Sequence, residues 1–211
     1  MGKNVSGADN QQGSPLVDKV NHDPSETTRS APFRRKELIA YINGASHDAS
    51  LNKGKRFRFA QKYIEWLRLL RDFLDVLGYK SWIYKEGKNR NVFILETLAD
   101  FIDFDFNPSD LSEEEKIMYI KGFFDAEGSV PIKKGRFYIQ LSQKDYEKIL
   151  LIKNLLNDLG IKSGKIHNPS RKVDPNYWRI YVLAKSHNKF AKLIGSFHPV
   201  KNNIFRNRMV I

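Results

Sequence analysis

The chain contains no cysteine. Disulfide bonds, zinc–thiolate sites and cysteine nucleophiles are therefore excluded. The sequence also lacks an apolar run of the roughly 20 residues that a membrane-spanning helix needs. Its polar start, MGKNVSGADNQQGSP, lacks the apolar segment of a secretory signal. We expect a soluble protein that is not secreted, that acts inside the cell in the cytoplasm or an organelle, and that has no membrane partner.

Acidic residues are outnumbered by basic ones. The chain has 36 Lys and Arg against 24 Asp and Glu, a formal net charge of +12 over 211 residues. Such an excess favours a polyanionic partner, with nucleic acid ahead of an anionic membrane surface. Hydrophobic residues make up 41% of the chain, which is enough for a packed core. The composition therefore indicates a globular protein that binds nucleic acid.

Residues 1–33 are rich in Asn, Asp, Ser, Gly and Pro and have almost no apolar periodicity. We interpret them as a polar N-terminal tail that is disordered, or ordered only on a partner. Periodic sequence starts near Arg34. It divides into two copies of one pattern, residues 34–110 and residues 111–211.

The two copies share landmarks at equal spacing. Gln61 is followed seventeen residues later by Gly78, and Gln143 is followed at the same distance by Gly160. The segments between these landmarks, 63-YIEWLRLLRDFLDVL-77 and 145-DYEKILLIKNLLNDL-159, have apolar residues at helical spacing. Each is predicted to be an amphipathic helix ended by a glycine.

Strand patterns flank both of these helices. The alternating segments 56-RFRFAQ-61 and 136-RFYIQLSQ-143 precede them, and segments 80–96 and 162–184 have the pattern of hairpins. A further helix containing Tyr-Ile-x-Gly comes before each copy of this unit. The sequence therefore predicts an α+β fold of two tandem αββαββα repeats.

Two acids stand out against the basic background. In 119-YIKGFFDAEGSV-130, Asp125 and Glu127 lie at the C-terminal end of a predicted helix, where the helix dipole disfavours negative charge. A group outside the helix must favour these carboxylates. The segment 120-IKGFFDAEG-128 resembles the nine-residue signature of the LAGLIDADG homing endonucleases, in particular their single-chain, two-repeat, intron-encoded type. The resemblance extends over about residues 34–208.

This resemblance implies a fold and an activity. The fold is one chain with a pseudo-twofold axis, whose antiparallel sheets form a saddle on double-stranded DNA and which acts as a monomer. The activity is that of a site-specific, metal-dependent endonuclease, which hydrolyses phosphodiester bonds at a long asymmetric target in intron-encoded homing. Gly44 and Gly122 would let the two Tyr-Ile-x-Gly helices pack closely. Carboxylates at the helix ends would bind Mg²⁺, for which Mn²⁺ would substitute.

The first copy departs from the signature. In 41-YINGASHDASL-51, counting forward from Gly44 puts Ala49 at the place of Glu127. Counting back from the strand start puts Asp48 there, with a one-residue deletion in the helix. We favour the second count, which gives Asp48 and Glu127 as metal ligands and catalytic residues. Under the first count His47 could be a ligand, and the enzyme would nick one strand.

Three further catalytic residues are implied by position in the family pattern. Gln61 and Gln143 match the family's glutamine at the end of the second strand, which orients the attacking water. Lys201 matches a basic residue after the last strands, which stabilises negative charge developing on the phosphate. The first copy has no counterpart of Lys201, because its corresponding segment is acidic.

Alternation in the predicted strands separates an apolar face from a polar one. Arg56 and Arg58 lie opposite two phenylalanines, and Arg136, Tyr138 and Gln140 lie opposite Phe137 and Ile139. The polar faces would read base edges in the major groove. The hairpins would extend this surface with Trp82, Tyr84, Lys85 and Arg90 in the first copy, and with Lys165, Tyr177, Arg179 and Tyr181 in the second.

A second interpretation keeps the scaffold without the full activity. The segment 44-GASHDAS-50 departs from the signature in the way expected if selection for cleavage had been relaxed. The protein would then be a nicking or non-catalytic derivative, acting as an RNA maturase on intron RNA or as a DNA-binding protein.

Overall fold

A computed structural model of the chain describes residues 33–133 and 135–209. The predicted tail lies outside these residues except for Phe33, whose ring packs on Phe73 and Phe197. No helix in the described ranges is long and apolar enough to cross a membrane. The elements are α1 (Arg35–Ala45), β1 (Ala49–Asn52), β2 (Arg56–Gln61), α2 (Ile64–Val76), β3 (Ser81–Lys85), β4 (Phe93–Thr97), α3 (Glu113–Glu127), β5 (Gly128–Ser129), β6 (Gln140–Gln143), α4 (Tyr146–Asp158), β7 (Trp178–Tyr181), α5 (His187–Leu193) and α6 (Pro199–Arg208).

Helices α1 and α3 pack backbone against backbone through their glycines. A Cβ added at Gly44 would lie 2.0 Å from the carbonyl oxygen of Tyr119, and a Cβ at Gly122 would lie 2.0 Å from the carbonyl oxygen of Tyr41. No side chain fits at either place. The same contact is made twice with the helices exchanged, so the interface has the approximate twofold symmetry that the sequence predicted.

Each repeat contributes one antiparallel sheet. The first sheet has the order β1-β2-β4-β3, and the second has the order β5-β6-β7. In the first sheet Phe59 and Leu95 are opposite each other and fully buried in the main core, together with Trp66 and Leu70 of α2. The predicted α+β fold with two antiparallel sheets is confirmed.

The two amphipathic helices end as predicted. Gly78 and Gly160, which follow α2 and α4, have φ of +88° and +68°. In each case the next N–H reaches back over 2.8 Å, from Tyr79 to the carbonyl of Leu74 and from Ile161 to that of Leu156. Glycine takes this left-handed conformation without the steric cost of a Cβ, which explains its recurrence at both ends.

The second sheet is smaller than the sequence predicted. The alternating segment 136–143 forms a strand only over Gln140–Gln143. Pro131 follows β5 closely and cannot donate to a ladder, so the chain before Gln140 has no partner on the β5 side. On the other side, the carbonyl of Ile139 still accepts from the amide of Val182 over 2.9 Å. The predicted hairpin over 162–184 consists of β7 and two isolated bridges, Ser163 with Val182 and His167 with Arg179.

The two copies also end differently. The second copy closes with α5 and α6, whereas residues 98–111 of the first copy contain only turns. Asn43 holds this segment: its side chain donates to the carbonyl of Phe101 over 3.3 Å and accepts from the amide of Asp103 over 2.9 Å. Within the segment, Asp103 and Asn107 accept from the amides two residues further on, over 2.9 and 3.0 Å, and such local bonds compete with helix formation.

Candidate active site

The two candidate metal ligands occupy equivalent places at the helix ends. Glu127 is the last residue of α3 and directly precedes β5. Asp48 is the last residue of a 3₁₀ turn, Ser46–Asp48, and directly precedes β1. A 3₁₀ turn rises about 2.0 Å per residue against about 1.5 Å in an α-helix, so each acid lies about 7.5 Å along the axis from its glycine. The 3₁₀ turn thus absorbs the missing residue, and Asp48 rather than Ala49 stands at the helix end.

The pKa values of both acids are raised, which indicates that the site has too little positive charge to balance them. Desolvation first, and then the negative charge of Asp48, raise the pKa of Glu127 to about 7, against the opposing charges of Lys201 and Lys144. Desolvation likewise raises the pKa of Asp48 to about 6, opposed by Lys201 and by a hydrogen bond from Gln61. Asp48 remains exposed at the surface. Solvent and ions can therefore reach the pair.

Lys201 extends from α6 to the end of α3. Its ammonium donates to the carbonyl oxygens of Phe124 over 2.6 Å and of Asp125 over 2.8 Å. Burial lowers the pKa of Lys201 to about 8, although Asp125, Glu127 and Asp48 oppose this shift. The cation offsets the negative end of the helix dipole beside the acids.

Asp125, unlike Glu127, is fully buried among hydrogen-bond donors. It is 1% exposed and accepts hydrogen bonds from the Tyr41 hydroxyl over 2.7 Å, from the Phe197 amide over 2.9 Å and from the Ser196 hydroxyl. Burial raises its pKa against these bonds and the charge of Lys201. Asp125 therefore ties α3 to α1 and to the segment before α6.

His47 is the counterpart of Asp125 in the first repeat. Each lies three residues after its helix glycine, and each bonds the tyrosine of the other helix: His47 Nε2 lies 2.6 Å from the Tyr119 hydroxyl. Its ring also packs edge-on to Phe123, with ring centres 4.9 Å apart. Burial lowers the pKa of His47 to about 4, so the imidazole is neutral at pH 7. The hydrogen bonds of these two tyrosines were not predicted from the sequence, although the recurrence of Tyr-Ile-x-Gly could have indicated them.

The two glutamines differ in what they contact. Gln61 Nε2 donates to Asp48 Oδ2 over 3.3 Å. Gln143 Oε1 instead accepts from the amide of Lys144 over 2.6 Å. The structure thus brings the NH₂ group of Gln61 to an acid of the site, while the side-chain oxygen of Gln143 is bonded to the backbone of the next residue.

The donor set fits a hard, hydrated cation. Within the described residues no group of three or more His, Asp or Glu side chains is arranged to hold a metal. The pair Asp48 and Glu127 is what Mg²⁺ requires, because this ion usually keeps several waters and takes one or two carboxylates together with substrate phosphates. A cavity of about 240 Å³ is lined by Gln61, His198 and Lys201 and by Ala126 and Gly128, the chain neighbours of Glu127, but by neither acid of the pair.

The outward face of the first sheet carries most of the predicted base-reading residues of that copy. Arg56 and Arg58 lie on it with Trp82 and Tyr84, as the register of β2, β3 and β4 requires. Lys85 alternates with Tyr84 and so lies on the side of Ile83 rather than on this face, and its contact with DNA stays a prediction. Arg90, at the hairpin tip, forms an ion pair of 3.1 Å with Glu86.

Two carboxylates on this face were missed. Arg58 is paired with Glu86, and Arg56 is paired with Glu96 over 3.3 Å. Glu96 follows the alternation of β4 and could have been found from it. The arginines predicted for this face of the first sheet are therefore paired with carboxylates.

The outward face of the second sheet has a different chemistry. Gln140 and Tyr181 are opposite each other, and Arg179 is opposite Ser142. Gln140 is only 9% exposed; it donates to the Tyr177 hydroxyl and accepts from Arg179, both over 3.4 Å. No ion pair in the described part of the chain involves this face.

Three predicted contacts of the second copy lie outside its strands. Arg136 and Tyr138 precede β6, so strand alternation does not set their direction as predicted; instead both line a cavity of about 500 Å³ with Tyr181 and His187. Lys165 is exposed between the two isolated bridges. These three residues thus lie beside the second sheet, outside its paired strands.

Comparisons with known proteins agree with this geometry. Residues 114–195 match the family model described as LAGLIDADG-like domain. The homing endonuclease I-ApeI of Aeropyrum pernix is 26% identical, over 78% of this chain and 83% of that protein. The structure of I-DmoI in complex with DNA and Mn is 20% identical with a TM-score of 0.60, over 77% of this chain and 98% of that one.

A further solved structure with the same fold is the N-terminal LAGLIDADG domain of DUF199/WhiA. It is 19% identical with a TM-score of 0.62, over 79% of this chain and 85% of that one. At such identities the structural likeness establishes the fold. The resemblance predicted from the sequence is confirmed by the family model over residues 114–195, and the fold is that of the two-repeat LAGLIDADG structures.

Proposed function

We propose that this protein is a site-specific, metal-dependent DNA endonuclease that hydrolyses phosphodiester bonds at a long asymmetric target in intron-encoded homing. The observation that carries the proposal is the pair Asp48 and Glu127, delivered to one place by two helices that pack through glycine. The relationship to I-ApeI, which is named a homing endonuclease, supports it. The net charge of +12 fits double-stranded DNA as the partner.

Asp48 and Glu127 would hold the divalent cation, with Mg²⁺ as the expected ion and Mn²⁺ as a substitute. When bound, such an ion stabilises negative charge on the attacking and leaving oxygens of a phosphodiester. Related I-DmoI structures contain DNA with Mn or with Ca. The raised pKa of Glu127 supports a cation here, because a positive charge would relieve the repulsion between the two carboxylates.

Lys201 and Gln61 would act on the reacting groups around the ion. Two of the three N–H groups of the Lys201 ammonium donate to helix carbonyls. The third can stabilise negative charge developing on the phosphate. The Gln61 side-chain amide is hydrogen-bonded to Asp48 and can hold the attacking water in position beside that carboxylate. The contacts of these side chains in the free protein support both proposed roles.

One observation favours a second candidate, an enzyme that nicks one strand or a protein that binds without cutting. Gln143 is turned onto its own backbone, and Lys201 serves only one copy. The two phosphodiesters of a duplex would then be treated unequally. Binding of intron RNA, as a maturase, belongs to the same candidate.

The experiment uses a random-sequence duplex library, since the target is unknown. The purified monomer selects bound duplexes in EDTA, and Mg²⁺ is then added to release cleaved ends for sequencing. We expect one long asymmetric site to be enriched and cut, with no cutting in EDTA or by Glu127→Gln. Enrichment without cutting would instead support the binding candidate, single-strand ends would support nicking, and no enrichment would refute the proposal.

A further inference from the structure

A buried carboxylate lies at the centre of the outward face of the first sheet. Glu96 is only 2% exposed, and its neighbours across the sheet are Arg58 on β2 and Trp82 on β3. A surface that binds a polyanion loses affinity from a negative charge at its centre. The position of Glu96 therefore needs a separate explanation.

Donors from three directions surround Glu96. Asn52 Nδ2 and the Tyr84 hydroxyl donate to Oε1 over 2.8 and 3.0 Å, and Arg56 Nη1 donates to Oε2 over 3.3 Å. Burial by itself raises the pKa of Glu96, but these hydrogen bonds outweigh it and the net shift is downward. Glu96 is thus ionised at neutral pH, and it is too enclosed to contact a base itself.

Arg56 is held from two sides. Glu96 fixes Nη1, and the guanidinium carbon lies 5.4 Å from the centre of the Trp82 ring. The side chain nevertheless stays 49% exposed. Arginine has five N–H donors in a rigid fork, so the donors that Glu96 does not use lie toward solvent. A fixed, exposed fork is what bidentate recognition of guanine O6 and N7 requires.

We propose that Glu96 is a positioning residue for base recognition, which orients Arg56 to read a guanine in the half of the target that faces the first sheet. The inference deepens the proposed endonuclease function and rests on it. Glu96 acts through Arg56, and Asn52 and Tyr84 keep Glu96 in place. Its negative charge lowers the affinity for DNA of any sequence, and the order that it imposes raises the discrimination between sequences.

Glu86 provides a matched comparison on the same face. It accepts hydrogen bonds from Arg58 and Arg90, but its side chain is 29% exposed and its partner Arg90 is 72% exposed. Glu86→Gln therefore removes the same charge as Glu96→Gln without changing the contacts of Arg56. Effects that the two variants share arise from charge, and effects specific to Glu96→Gln arise from orientation.

The test measures binding in EDTA, so cleavage plays no part. Wild type, Glu96→Gln, Arg56→Lys and Glu86→Gln each select from the random-sequence duplex pool, and fluorescence anisotropy gives their affinity for the unselected pool. We expect one guanine in the wild-type site to be lost by both Glu96→Gln and Arg56→Lys. Discrimination at that base pair should fall about 5- to 100-fold, the loss of one bidentate contact. Glu86→Gln should retain it.

Affinity for the unselected pool supplies the second readout. Glu96→Gln and Glu86→Gln should bind it as tightly as wild type or more tightly, because each removes a negative charge. Weaker binding by Glu96→Gln would show a damaged sheet and overturn the proposal. Tyr84→Phe, which removes one donor to Glu96 with almost no change in volume, should weaken the same guanine preference to a smaller extent.

Other outcomes separate this inference from the function on which it rests. If the wild type enriches a site but Glu96→Gln keeps the guanine, or if Arg56→Lys alters a different base pair, only this inference is wrong. If the wild type enriches no sequence, both are wrong.

Discussion

The two repeats share the backbone geometry of their helix interface and differ in the groups at the helix ends. Gly44 and Gly122 make the same contact, and Tyr41 and Tyr119 each bond a residue of the opposite helix. Asp125 accepts one of these bonds within a buried network, whereas neutral His47 completes the other. Close packing tolerates no change at the glycines, but the polar group at the helix end is free to vary as long as it bonds a tyrosine.

The two sheets differ in a similar way. The outward face of the first sheet balances its arginines with Glu86 and Glu96, while that of the second holds Arg179 between Gln140 and the ring of Tyr181. Neutral partners leave the full charge of Arg179 available to phosphates, and carboxylates do not. Under the proposed function, the second sheet would contribute more nonspecific affinity for DNA and the first sheet more discrimination between sequences.

The largest expected effect tests whether the two acids are equivalent. Glu127→Gln and Asp48→Asn should each slow cleavage of the selected site by at least ~10³, because each removes half of the carboxylate donors and the ion is worth several kcal/mol. Single-turnover cleavage with Mg²⁺ measures this, with binding in EDTA as the control for folding. A rate for Asp48→Asn within tenfold of wild type would show that the first copy's acid is dispensable.

The next effect tests whether the helix interface is symmetric. Gly44→Ala and Gly122→Ala should each lower the free energy of unfolding by about 2–4 kcal/mol, because the added methyl meets a carbonyl oxygen at 2.0 Å. Urea denaturation measures the loss. Gly164→Ala is the matched control, since a Cβ there meets its nearest atom at 3.7 Å. A difference of more than about 1 kcal/mol between the two interface variants would contradict a symmetric interface.

The sequence predicted those parts of the molecule that depend on local pattern. Helices α2 and α4, their terminal glycines and the fold class follow from periodicity and spacing. Whether Asp48 or Ala49 lies at the helix end could not be predicted from the sequence. The answer depends on the helical rise of Ser46–Asp48, which the structure shows to be a 3₁₀ turn. The partners of Arg56 and the short β6 depend on contacts between distant segments, such as the loss of pairing after Pro131, and no single segment encodes these.

A smaller effect compares the two glutamines. Gln61→Ala should lower the cleavage rate about 10- to 100-fold, the usual cost of removing a partner that orients a metal-binding carboxylate. Gln143→Ala should stay within about threefold of wild type, because the Gln143 carbonyl is bonded to its own backbone. Counting nicked and linear plasmid products shows which strand each variant affects. Equal losses for both variants would mean that Gln143 moves into the site when DNA binds.

The smallest effect concerns the stability of the metal-free protein. Because the pKa of Glu127 is raised to about 7, the folded protein binds more protons than the unfolded chain between its ordinary pKa of about 4.5 and pH 7. Stability from this group is therefore complete at low pH and is lost as pH rises through 7. Glu127→Gln has no such loss, so in EDTA at pH 8 it should be more stable than wild type by about 1–2 kcal/mol, after allowance for solvent at this half-buried side chain.

The advantage of Glu127→Gln should vanish below about pH 3.5, where Glu127 is protonated in the folded and the unfolded state. Thermal unfolding at several pH values gives the difference between variant and wild type, which cancels the opposite titration of buried histidines. Glu65→Gln, at an exposed position on α2, is the control for the loss of one negative charge outside the site. Added Mg²⁺ should reverse the order at pH 8, because the ion stabilises only the protein that retains both carboxylates. An advantage that is unchanged by pH and by Mg²⁺ would mean that Glu127 is not strained by its surroundings and is not held there for a cation.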